Sequence, residues 1–351
     1  MQTAERKFFN IDQTNIAKGI ACVLLLCHHL FYSVNSYEHF TSLWLYRGVP
    51  LESKIALMCR VCVTIFTFLS GFGINEVINR RLAKGDAPVK TLLRTSISSL
   101  WKLWAGYIVV FLIFVPWQGL FDRHPYTSVL DLVWDILGIS FIAGTPTMNE
   151  TWWFMSVAIA SYTIAPLFKI VLVKRKTLLL AVFPLFYLLW LLYAGIFWCY
   201  AFLFGMIVSE LGLFDLLHER FVRFKSIYTW GVCSVLVLTT GLMRYISPSW
   251  GDFPFAVAIL IFSFLCVSRL HFVSTILKFI GKHSANIFFF HSFLYLYNFQ
   301  PFVYAPKYAP LILTIFIIEC LAVSVVIEFI KKISGIQKGI GLVRKVLERQ
   351  F

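Results

Sequence analysis

His29 lies in an apolar stretch, Asn15 to Tyr32, where ionisable side chains are costly and rare and so mark a working site by default. A neutral imidazole there is the form that can take a proton from a hydroxyl nucleophile. Lys18 stands in the same stretch. On a helix the Lys18–His29 interval is a rotation of about 1100°, so the two point the same way to within roughly 20° and stand about 16 Å apart. His28 is turned roughly 80° away from Lys18 and is the reserve candidate. For either histidine the structural alternative is a ring that donates to a neighbouring helix carbonyl. Lys18 either snorkels to the inner interface or meets the anionic end of a long ligand that threads inward.

Arg60 sits within the second apolar stretch. A permanently charged fork there calls for an acidic or phosphate partner, unless it snorkels to the outer interface. Trp152 and Trp153 open a later stretch, either as an interface anchor or as a stacking wall for sugar rings. His291 reads as structural. Lys102, Glu210, Glu319 and Glu328 read as interfacial or paired, Glu328 with Lys331 or Lys332 at helical spacing. The eight cysteines fall in apolar runs as small fillers, and Cys59-x-x-Cys62 has no second ligand pair, so no metal site is expected. No P-loop, GxGxxG, HExxH or nucleophile elbow is present, which excludes soluble-type nucleotide chemistry.

The elements that must hold these residues are membrane helices. Of 351 residues, 59% are hydrophobic and 14% charged, and the mean hydropathy is +0.79. A soluble domain needs charge on about a quarter of its residues. At about 20 apolar residues per crossing, ten spans are expected: 14–36, 55–78, 96–117, 151–173, 177–194, 196–214, 227–246, 253–271, 284–304 and 309–330. The fold class is therefore all-α, a polytopic transmembrane helical bundle of about ten spans.

The net charge of +14 is not spread as in a nucleic-acid binder. Basic residues such as Arg80, Arg81, Lys84, Arg94, Lys169 and Lys174 collect in loops on the side of both termini. The far side holds only Arg47, Lys54, Arg123, Arg244 and Lys307, so both termini are expected in the cytoplasm. Residues 118–150 carry Asp131 and Asp135 four apart, and a crossing there would flip every later loop. They are expected to form an outer-face segment with an amphipathic helix in the interface. Residues 1–335 make one membrane domain, and 336–351 a basic cytoplasmic tail suited to the inner leaflet. The first apolar run lacks a small-residue cleavage site and reads as a retained span.

Taken in order, these pieces resemble the acyltransferase-3 family of polytopic membrane O-acyltransferases. The first span of that family carries a basic residue, ten intervening residues and a histidine taken as catalytic, matched by Lys18 and His29. Its second span ends in a phenylalanine-rich LSG run, matched by Phe66 to Phe72. A WWF-type run and a later proline match Trp152–Phe154 and Pro166, and a glycine-to-histidine segment matches Gly281–His291. The basic residue is commonly arginine, whose bidentate fork Lys18 lacks, and the usual acidic residue three positions earlier is Asn15.

The resemblance implies an enzyme of the bacterial cytoplasmic membrane that moves an acyl group, usually acetyl from acetyl-CoA, to a hydroxyl of a cell-surface polysaccharide or lipid-linked saccharide. His29 would be the base. Lys18 and His28 join it in the catalytic set. Arg80, Arg81 and Arg94, with Ser70 from the LSG run, are expected to hold the donor. Arg60, Trp152 and Trp153 are expected at the acceptor. Acyl-CoA, the saccharide and membrane lipid are the expected partners, nucleic acid is not, and a homodimer stays open. The competing reading is a glycan or lipid transporter or flippase, which internal repeats and discontinuous helices would favour; the sequence shows neither.

Overall fold

The computed structural model describes residues 9–120, 123, 125–192, 199–296 and 299–350. Arg6, Lys7 and Phe351, with residues 193–198 and 297–298 of the expected spans, lie outside the described residues. In chain order the helices are α1 (Ile11–Phe31), α2 (Leu51–Cys59), α3 (Cys62–Leu82), α4 (Pro88–Gly119), α5 (Val129–Leu137) and α6 (Ser140–Ala143). They continue as α7 (Trp153–Leu192), α8 (Cys199–Leu211), α9 (Leu213–Phe221), α10 (Ser226–Ile246) and α11 (Pro248–Leu265). The last are α12 (His271–Tyr295), α13 (Gln300–Val303), α14 (Ala309–Ile333) and α15 (Ile336–Gln350). A short hairpin pairs Leu45–Tyr46 with Val49–Pro50, turned by Arg47 and Gly48, both at positive φ.

Apolar runs of membrane length become helices because lipid offers the backbone no other hydrogen-bond partner. Among the described residues, seven helical stretches are long and apolar enough to cross: Ile11–Phe31, Leu51–Leu82, Pro88–Gly119, Glu150–Arg175, Ser226–Ile246, Pro248–Arg269 and Ala309–Ile333. The bent pair α8 and α9, turned by 61°, makes an eighth. Gly212 forms that bend with a φ of +63°, a conformation glycine adopts without strain.

Two more expected spans fall on helices. One is the part of α7 beyond Arg175, where the dihedrals leave the helical region. Before that break α7 runs alongside α8 in the same direction, with Ser161 against Cys199 (3.2 Å) at one end and Lys169 against Glu210 at the other. Beyond it α7 runs against α8, Phe183 meeting Phe204 (ring centres 4.4 Å) and Tyr187 meeting Tyr200 (5.6 Å). The other is α12, which begins at His271 and not at residue 284. Its first turns look like loop by hydropathy because they carry Lys278 and Lys282. The charge of Lys278 is met by Asp12, 3.4 Å away.

Within the segment expected on the outer face, residues 128–144 fold as α5 and α6. Ser128 and Asp131 form a reciprocal capping box at the start of α5. Asp135 is buried, accepting from the hydroxyls of Tyr126 (2.7 Å) and Thr147 (2.8 Å) and the backbone N–H of Met148 (2.9 Å). Burial pushes the Asp135 carboxyl above the usual range, against the pull of those donors.

Candidate active site

The site is built on the pairing of α1 with α12. These helices are parallel and in constant register: Asp12–Lys278 and His29–Tyr295 are each 266 residues apart in sequence. Small residues let the backbones touch. A Cβ on Gly281 would stand 1.9 Å from the Asn15 carbonyl oxygen, and one on Gly19 would stand 2.1 Å from that of Leu277.

This pairing turns His29 onto α12. Nδ1 of His29 lies 3.3 Å from the Tyr295 hydroxyl, and its ring centre lies 4.9 Å from that of His291. His28 points elsewhere, as the helical rotation requires. Its Nδ1 meets the Ala56 carbonyl of α2 at 2.8 Å, and its ring stacks on Tyr32.

His291 is fully buried. Its Nδ1 lies 3.0 Å from the carbonyl oxygens of both Ile287 and Phe288, within its own helix. Tyr295, one turn on, stacks near it with ring centres 6.0 Å apart. The bonds of His291 to its own helix carbonyls fit the structural reading, and the structure also brings its ring beside His29 and Tyr295, the latter not singled out by the sequence. The four-residue spacing of His291 and Tyr295, one helical turn, was the available signal.

Trp152 is not an open wall for a sugar. It is buried, its indole N–H donates to the Phe289 carbonyl (2.8 Å), and Tyr107, Phe111 and Phe293 pack around its ring. Asn149 Nδ2 reaches the same Phe289 oxygen at 3.3 Å. A bulky aromatic with a polar N–H is used here to clamp α12. Trp153 is partly exposed and meets Phe141 of α6.

Towards the start of α1 Lys18 is half-buried, and the charge of Lys102 on α4 acts on it. Among the described residues neither lysine forms an ion pair with a carboxylate. Arg81 donates to the Thr95 hydroxyl (3.2 Å), tying α3 to α4, while Arg80 is exposed and reaches back to the Glu76 carbonyl. Arg94 lies on α4, part-buried, with no hydrogen-bond partner for Nε among the described residues. Ser70 lies in mid-helix on α3 and donates to the Phe66 carbonyl (2.9 Å). Lys18, Arg80, Arg81, Arg94 and Ser70 thus lie on three different helices, α1, α3 and α4.

Two basic residues counted in loops prove buried. Lys169 pairs with Glu210 and donates to Asn79 Oδ1 (2.6 Å). Arg244 pairs with Asp252, which also accepts from Thr64, and donates to the carbonyls of Leu57 and Met58 at 3.2 Å each. Those carbonyls end α2, so the second expected span is broken at Arg60, and Arg60 itself is exposed at the break. Glu328 pairs with Lys331 (2.8 Å), as its spacing requires, and Asn286 of α12 joins them. No group of three metal-ligating side chains forms among the described residues.

A family model described as an acyltransferase domain matches residues 11–329, a stretch that runs from the first residue of α1 to within the last turns of α14. No curated protein and no solved structure matches the chain.

Proposed function

The chain belongs to the acyltransferase-3 family, and on that premise we propose that it moves an acyl group from acyl-CoA, acetyl-CoA by preference, to a hydroxyl of a cell-surface polysaccharide or lipid-linked saccharide. The observation that carries this reading is His29, turned onto α12 with its Nδ1 at the Tyr295 hydroxyl. A base oriented by a third group is the arrangement that hydroxyl activation needs.

In this mechanism the Nδ1–H of His29 donates a hydrogen bond to the Tyr295 oxygen and keeps its proton, so Nε2 bears the free lone pair. The acceptor hydroxyl gives its proton to Nε2 as its oxygen bonds to the thioester carbonyl carbon. The carbon–sulfur bond then breaks, and the leaving thiolate takes the proton from the imidazolium. Ester and free thiol result, and His29 returns to its starting state. General-base assistance of this kind is worth about 10²–10⁴-fold.

Donor binding is assigned to the inner end. Lys18 with Lys102, and Arg80, Arg81 and Arg94, supply cations for the nucleotide phosphates, with Ser70 further along the path. Arg60 and Trp153 serve the acceptor on the outer side, and Trp152 acts by holding α12. Ten crossings with both termini in the cytoplasm, in a bacterial cytoplasmic membrane, suit a donor from inside and an acceptor from outside. The reversal of α7 against α8 beyond Arg175 supports that count.

Purified protein given labelled acetyl-CoA and envelope polysaccharide stripped of esters by mild alkali tests the reading. His29→Ala should lose transfer at least a hundredfold while staying folded, and His28→Ala should keep most of it. Full transfer by His29→Ala ends the assignment.

A further inference from the structure

His291 presents an unused acceptor beside the proposed base. Two carbonyl oxygens 3.0 Å from its Nδ1 can be met only by an N–H at that nitrogen. Nε2 of the neutral ring then bears a lone pair. That nitrogen is buried and has no hydrogen-bond partner among the described residues. A buried acceptor left unmet is unfavourable, so this lone pair calls for a donor.

His29 Nε2 and His291 Nε2 are then two lone pairs on rings 4.9 Å apart. A reacting hydroxyl has one proton, and His29 takes it. The second lone pair needs a second donor, brought by the same acceptor molecule and close to the first. We propose that His291 Nε2 accepts a hydrogen bond from a hydroxyl adjacent to the one that is acylated, so that the site selects a vicinal diol of the saccharide. This rests on the acyl-transfer reading above and adds the acceptor's chemical class to it. Locked as an acceptor by its own helix, His291 discriminates by leaving its lone pair unpaired when the neighbouring hydroxyl is missing.

The test uses two small acceptors, cis-1,2-cyclohexanediol and cyclohexanol, with labelled acetyl-CoA and the detergent-purified full chain. The wild type should favour the diol by about tenfold in kcat/KM, the worth of one hydrogen bond. His291→Phe, which keeps the ring volume and removes the lone pair, should react with both alcohols at the monol's rate. His291→Gln, which restores an acceptor oxygen, should recover part of the preference. Equal use of the two alcohols by the wild type, or a preference that survives in His291→Phe, overturns the inference and leaves acyl transfer standing. If neither small alcohol reacts, the alkali-stripped polysaccharide replaces them. His291→Phe should then raise the KM for polysaccharide about tenfold with the donor KM unchanged, and an unchanged polysaccharide KM overturns the inference. A wild type that acylates none of the three overturns the parent reading, and this one with it.

Discussion

The indole N–H of Trp152 meets the carbonyl oxygen of Phe289 at 2.8 Å, two residues before His291. Together with Asn149 it ties the turn before α7 to the middle of α12, so the position of the histidine cluster depends on a side chain that does not touch it. Trp152→Phe keeps most of the ring packing and removes the donor. Transfer should fall through kcat, by about tenfold for a bond worth about 1 kcal/mol or slightly more, with both KM values little changed. A KM rise for acceptor alone would mean that Trp152 contacts the saccharide after all.

Tyr295 should matter through its hydroxyl alone. Tyr295→Phe leaves the ring against Phe316 and His291 but removes the partner of His29 Nδ1. The melting temperature should hold within a few degrees while kcat falls by about ten- to a hundredfold. An unchanged kcat would show that His29 needs no orienting partner.

The contact between α1 and α12 leaves no room for a methyl group at Gly281. Gly281→Ala drives a Cβ into the Asn15 backbone and should separate the helices, with loss of folded protein or of all transfer. Gly339→Ala, whose Cβ meets nothing within 4 Å, is the control and should be silent or slightly stabilising. Fluorescence-detected size exclusion with a thermal ramp separates the two results.

Lys169 and Glu210 form a buried pair among Asn75, Asn79 and Ser209. Lys169→Met alone strands the Glu210 carboxylate and should cost about 3–5 kcal/mol, whereas Lys169→Met with Glu210→Gln should cost much less. Additive losses in a double-mutant cycle would show that the two act independently.

Acid should remove the stabilisation that Asp131 gives to α5. The hydroxyl of Thr127, then its backbone N–H and those of Ser128, hold the Asp131 carboxyl below its usual value. A depressed carboxyl stabilises the fold above its unfolded pKa, about 4, and that contribution is lost as pH falls through the lower folded value. Asp135, raised by burial, acts in the opposite sense and is common to both proteins in the comparison. Asp131→Asn should therefore protect α5 less than the wild type in hydrogen exchange at pH 7, and the gap should close as pH falls below about 4. A gap that stays constant with pH would contradict this.

Much of the fold was legible because lipid imposes a coarse and local rule. Apolar runs of about 20 residues must be helices, and α10 and α14 lie close to their expected limits, while α4 begins eight residues before its expected start. The errors came where tertiary partners change what a charge means. Lys278 looked like loop until Asp12 answered it, and Lys169 and Arg244 looked like loop charges until Glu210 and Asp252 buried them. The site divides in the same way. The rotation of one helix set His29 and His28 on different faces, and their hydrogen-bond partners lie on α12 and α2 respectively.

The sequence by itself determined an all-helical membrane chain and the face of α1 that carries His29, since both follow from hydropathy and from rotation about a single axis. Only the tertiary structure decided that His291 and Tyr295 complete that face and that Trp152 is a clamp. Those facts depend on the register between α1 and α12, helices some 240 residues apart in the chain. That register is set by two glycines meeting backbone across the interface, a long-range contact that no periodicity within either helix encodes.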